Sequence, residues 1–155
     1  MSISFYPKLP YSGSGTGITF PHIGASDTTD QYATANDTPT IVNWNTLDTA
    51  SGFTLAAGAA TATYAGVYKI DYSLQFANTD NAQHDVDVWL RVNNVDVVGS
   101  TSKFSIQARK SAILPTFIVA YSTVVFTLAA GDNLKLYWAT YQAYSTVGPV
   151  NGVYM

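Results

Sequence analysis

Ala65-Gly66-Val67-Tyr68-Lys69-Ile70-Asp71-Tyr72-Ser73-Leu74-Gln75-Phe76 is the stretch on which the fold turns. Tyr68, Ile70, Tyr72, Leu74 and Phe76 recur every second residue, and Lys69, Asp71, Ser73 and Gln75 fill the gaps. A strand sends successive side chains to opposite faces, so this spacing predicts one apolar face and one wet face. On a helix the same residues would scatter around the cylinder and leave no apolar stripe. Gly66 stands at the entrance, where a turn must deliver the chain into the sheet. The stretch predicts a central strand.

The same period recurs outward from it. Val86, Val88, Leu90 and Val92 alternate with Asp85, Asp87, Trp89 and Arg91, and Asn93-Asn94 then turns the chain into Val95–Val98. Leu134, Leu136 and Trp138 alternate with Lys135, Tyr137 and Ala139 after an Ala129–Asn133 turn. Residues 116–128 are β-branched and aromatic throughout, which predicts one long strand or two joined by a bend near Ser122. Shorter strands are expected at 31–34, 38–44, 53–55, 60–64 and 101–107, with a turn-rich loop over 45–52 and a last strand over 150–155. Eight to ten closely spaced strands without a convincing helix imply a β-sandwich or barrel.

Composition agrees. All ten acidic residues are Asp, a turn residue, and Glu, a common helix-former, is absent. Only 11% of residues are charged, against about a quarter in an ordinary globular domain. So few surface charges, in a chain without cysteine, favour a protein that hides surface in an oligomer. The net charge of -3 comes without a basic run, which argues against nucleic acid as a partner. No apolar run approaches the length that spans a bilayer, and the first residues lack the basic start and apolar core of a signal peptide. A soluble protein with no membrane partner is expected.

Residues 1–28 differ from the rest. Pro7, Pro10 and Pro21 flank the Gly/Ser-rich Ser12-Gly13-Ser14-Gly15-Thr16-Gly17, with Phe5, Tyr6, Tyr11 and Phe20 interspersed. A plain linker does not need four aromatics. The segment therefore reads as an extended N-terminal arm whose Phe5, Tyr6, Tyr11 and Phe20 dock on a larger assembly, with the folded domain over 29–155.

Four pieces, in order, resemble the tumour-necrosis-factor-like jelly roll of complement globular heads: Thr40-Ile41-Val42-Asn43-Trp44; Ala65-Gly66-Val67-Tyr68 with its alternating strand; Val86–Asn94 followed by Leu128-Ala129-Ala130-Gly131-Asp132-Asn133-Leu134-Lys135-Leu136; and Asn151-Gly152-Val153-Tyr154-Met155. The chain departs from that pattern at Tyr64, where the family carries Pro, and at Val95, where it carries Gly. The Asn45–Gly52, Ala65–Tyr68, Asp85–Arg91 and Leu128–Asp132 segments more closely resemble jelly-roll structural proteins of tailed bacteriophages, cyanophages in particular. That resemblance implies an all-β jelly-roll β-sandwich that forms a homotrimer. It implies a capsid decoration (cement) protein on the virion surface, assembled in the host cytoplasm and bound to the major capsid protein. The alternative it carries is the receptor- or glycan-binding head of a phage fibre. Removal of residues 1–25 is then expected to leave a folded trimer unable to bind the shell.

With no Cys and only His22 and His84, nucleophilic triads are nearly excluded, and no strand-to-helix Ser elbow occurs. Asn78, Asp80, Asp85 and Asp87 are the residues that a calcium site would draw on, but solvated carboxylates beside Arg91 are the simpler reading. No enzyme, catalytic residue, metal or cofactor is expected. Four aromatics remain, Trp89, Tyr121, Tyr137 and Tyr141; Trp89 falls opposite Val88 and Leu90, and Tyr137 and Tyr141 fall opposite Leu136 and Trp138. They are either outward aromatics at a trimer interface or, with the faces inverted, core.

Overall fold

The computed structural model describes the backbone of residues 2–7, and backbone and side chains of residues 20–144 and 152–155. These residues form thirteen strands and no helix. One antiparallel sheet has the order β11 (Thr116–Leu128), β7 (Gly66–Asn78), β1 (Ser2–Pro7), β2 (His22–Ser26), β4 (Thr46–Ser51), with β13 (Val153–Tyr154) also on β7. The other has the order β10 (Ser102–Ile106), β8 (His84–Val92), β12 (Asn133–Thr140), β6 (Ala59–Ala62), β5 (Phe53–Ala56). There β3 (Thr40–Ile41) also pairs with β12, and β9 (Val95–Asp96) with β8. The chain passes repeatedly from one sheet to the other, at β2 to β3, β3 to β4, β4 to β5, β6 to β7, β7 to β8, β10 to β11, β11 to β12 and β12 to β13.

The opening stretch is the spine. β7 pairs with β11 along all thirteen residues. Its five alternating side chains, Tyr68 through Phe76, have no solvent exposure. Val86, Val88 and Leu90 of β8 and Leu134, Leu136 and Trp138 of β12 face them from the second sheet, buried to 2% or less. Two aromatic pairs cross between the sheets, one near each end of β7: Phe53 meets Tyr68 edge-on at 5.1 Å, and Phe76 meets Trp138 at 5.4 Å. Such pairs contribute about 0.5–1.5 kcal/mol beyond the area they bury. Tyr68 keeps its hydroxyl satisfied by donating to the Tyr64 carbonyl at 2.9 Å.

Tight turns follow from local chemistry. Ala57 and Gly58 (φ 48° and 73°) join β5 to β6, and Asn93 and Asn94 (φ 51° and 66°) join β8 to β9. Two consecutive positive φ values mark the hairpin turns that match strand twist. Asn93 also accepts from the Asn133 N–H at 3.0 Å and donates to Asp132 at 2.8 Å, tying two turns together.

The largest departure from the sequence reading concerns residues 1–28. Ser2–Pro7 and His22–Ser26 are strands in the middle of a sheet, between β7 and β4, so the sandwich begins well before residue 29. Residues 45–52, expected as a loop, hold β4, whereas 31–34 form no strand; Gln31 instead exchanges backbone bonds with Met155 at 2.6 and 3.0 Å. Over 38–44 only Thr40–Ile41 is strand, and residues 116–128 run as one strand through Ser122.

Candidate interaction surfaces

The first surface is the outer face of β11 and β7. Alternation puts Ile118, Ala120, Val124 and Leu128 inward and Phe117, Val119, Tyr121, Thr123 and Val125 outward. Val119, Tyr121 and Val125 are each at least 60% exposed, and Phe117 is 51% exposed. β11 pairs with β7 on one side only, so its second edge carries no strand among the described residues. Thr116–Leu128 contains no charged residue and no Pro, the devices by which edge strands usually discourage pairing with another chain. An uncharged thirteen-residue edge strand with an apolar outer face has the makings of an association surface.

Polar groups anchor this stripe from β7. Asp71 accepts from Thr123, from Tyr121 at 3.3 Å and from Lys69 at 2.9 Å. Burial alone would raise the Asp71 carboxyl. The hydrogen bonds from Thr123 and Lys69, with the Lys69 charge and the Tyr121 hydroxyl, outweigh it and hold the group below the usual carboxylate range. On the inner side of β11, Ser122 receives a hydrogen bond from Ser102 of β10 at 3.2 Å, linking the neighbouring edges of the two sheets.

The second surface is the outer face of the other sheet. Trp89 and Tyr137 are register partners on β8 and β12, with rings stacked at 6.0 Å. The Arg91 guanidinium lies 4.3 Å from the Tyr137 ring centre and 5.7 Å from that of Trp89. Asp96 on β9 fixes the group, accepting from Arg91 Nε at 2.5 Å and from Trp89 Nε1 at 2.8 Å. The donors of Arg91 and Trp89 hold the Asp96 carboxyl below its usual range. Beside them Tyr141 accepts from Lys103 Nζ at 2.8 Å, and the Lys103 ammonium, 3.6 Å from Asp87, is held above the usual lysine range by Tyr141 first and Asp87 after it.

The four aromatics grouped in the sequence reading therefore lie in two places. Trp89, Tyr137 and Tyr141 share the outer face of one sheet, and Tyr121 belongs to the opposite sheet. No single contact holds all four, because strand alternation points them away from a common core on opposite sides. Phe5 and Tyr6 stand in β1 opposite Ile70 and Lys69, inside the sheet rather than on a projecting arm. Phe20 is exposed, and Tyr11 lies outside the described residues.

The carboxylates weighed for calcium are each engaged elsewhere. Asp80 accepts from His84 at 2.7 Å, which holds it below the usual carboxylate range, and Asp85 accepts from Ser105 at 2.5 Å. Asn78 is fully buried and donates to the carbonyls of Ala82, Ile106 and Gln107 at 2.8–3.3 Å, bracing the turn after β7. Among the described residues no group of three or more His, Cys, Asp or Glu is placed to hold a metal ion.

In the sequence, residues 116–128 are β-branched and aromatic throughout, and this uniform apolarity hid which half faced out. No protein-family model matches the chain, and no curated protein sequence matches it.

Proposed function

We propose that the protein is a non-enzymatic structural protein that associates as a homotrimer through the outer face of β11 and decorates a viral capsid, binding its major capsid protein. The observation that carries the association is the uncharged edge strand Thr116–Leu128 with Phe117, Val119, Tyr121 and Val125 in solvent. Covering apolar area is worth roughly 25 cal/mol per Å2, and a second copy offers a surface of the same chemistry. The capsid role rests on the sequence resemblance to phage jelly-roll proteins, and the strand orders of the two interleaved sheets are compatible with it. A trimer built on β11 leaves the Trp89–Tyr137–Tyr141 face pointing away from its axis. That face, together with the exposed Phe20, is the part available to the shell.

Sedimentation of the purified protein, followed by co-sedimentation with empty shells, tests both halves. A trimer that pellets with shells is expected; a monomer at micromolar concentration overturns the association. The Trp89–Tyr137 stack favours a second reading, a glycan- or receptor-binding head, because flat aromatic rings beside polar groups suit sugar faces. Binding to intact host cells without shell binding would select it.

A further inference from the structure

β7 has two edges, and they are filled differently. One carries β11 without interruption, whereas the other carries two separate pieces in a single lane. β13 occupies the first part, with Val153 and Tyr154 opposite Asn78 and Ala77. β1 occupies the rest, from Ser2 opposite Ser73 to Pro7 opposite Tyr68. Both run antiparallel to β7. The far side of the lane is divided in the same way: Ala25 and Gly24 face Ile3 and Ser4, and Gln31 bonds Met155. A cavity of about 210 Å3 lies beside the break, lined by Gln75, Phe117, Tyr154 and the 27–30 loop. β1 and β13 thus make separate pairings with β7.

The connection from β1 to β2 is long for its task. Their register places residues 7 and 21 side by side, and a hairpin closes such a pair with two to five residues. Thirteen residues, 8–20, stand between them, including Ser12-Gly13-Ser14-Gly15-Thr16-Gly17. Extended, that length spans about 40 Å, more than the width of several strands at roughly 4.8 Å each. Only β7 separates the β1 lane from β11, so a neighbour seated on β11 has its own lane within that reach.

We propose that β1 is exchanged between copies: in the assembled oligomer, Ser2–Pro7 of one protomer fills the β2–β7 lane of another. This rests on the oligomer proposed above. Exchange of an identical strand preserves every pairing of β1 with β7 and β2, so its enthalpic cost is small, while the copies become topologically linked. A strand entering a lane open on both sides gains main-chain hydrogen bonds along both edges, the mode by which sheets accept a foreign strand.

The chain has no cysteine, so a disulfide reports the exchange directly. Ser2 and Ser73 are register partners, at a spacing a disulfide accepts. The full chain is prepared as Ser2→Cys, as Ser73→Cys, as the two single variants co-expressed, and as the double variant, then oxidised with diamide. The co-expressed singles should give a covalent pair of unlike chains, and the double variant should run as a covalent multimer on a non-reducing gel. A double variant that closes within one chain, while sedimentation still shows an oligomer, overturns the exchange and leaves the oligomer standing. A monomer in sedimentation removes both. Absence of any disulfide removes β1 from the lane and the proposal with it.

Discussion

Tyr121 reaches across the β7–β11 ladder to donate its hydroxyl to Asp71 at 3.3 Å, so the largest exposed ring of the apolar stripe is tethered at its tip. The ring is fixed at its hydroxyl end while 60% of the residue stays in solvent. A pre-positioned aromatic loses little freedom when covered, which favours its use in an interface.

Val119→Asp places a charge in the middle of that stripe, where the side chain is 65% exposed. The fold should survive with a change of about 0.5 kcal/mol or less, as for surface substitutions generally. The oligomer should dissociate, because an unpaired carboxylate is costly to bury at an interface. Sedimentation alongside far-ultraviolet circular dichroism checks both; an intact oligomer would move the interface elsewhere.

Asp71 links the stripe to pH. Its carboxyl lies below the ordinary range in the folded protein, so its contribution is fully present above the unfolded value of about 3.9 and is lost as pH falls through the folded one. Asp71→Asn should destabilise the protein near pH 7. The gap from the parent should hold down to the unfolded value of about 3.9 and close only as the pH falls below it, through the lower folded value, measured as urea midpoints. A gap independent of pH would mean that the residue acts through shape alone.

Arg91→Ala removes the cation above Tyr137 and Trp89. The expected loss is about 0.5–1 kcal/mol, the range for exposed cation–π contacts, with a change in indole fluorescence as the Trp89 ring loses its cover. Oligomerisation through β11 should be unaffected. A dissociated oligomer would place the interface on this face instead.

Gly152→Ala should be severe. Gly152 has φ 151°, and an added Cβ would collide with the Ala143 carbonyl oxygen. The Gly152 carbonyl also accepts from both the N–H and the hydroxyl of Thr79, at 3.0 Å each, so a shift there disturbs the entry to β13. A loss of about 1–3 kcal/mol is expected, read from thermal or urea unfolding.

Strands with strict alternation were legible because one face must be dry: Tyr68 to Phe76, Val86 to Leu90 and Leu134 to Trp138 each bury the residues that their period assigns inward. The turn at Asn93-Asn94 was legible because few residues other than Gly tolerate two positive φ values. β4 was not, since Thr46 to Ala50 are all exposed and leave no pattern of burial to read. β1 and β2 were hidden for a related reason. His22-Ile23-Gly24-Ala25-Ser26 alternates, but Ile23 and Ala25 are too few to stand out beside Pro21 and the glycines. The two aromatic faces needed the strand order, because period two assigns a side of a strand and never a side of the molecule.

The divided lane beside β7 also has a meaning for how this fold is written in sequence. Tyr154 faces Ala77 and Ser2 faces Ser73, so three positions lie between them. Three residues between Tyr154 and Ser2 would fill them. A circular permutant with that three-residue joint, opened within residues 8–19, would turn two short strands into one long strand in unbroken register. The order of strands along the chain would change while every neighbour in the sheet stayed the same. The architecture is thus indifferent to which end of the chain completes its central lane.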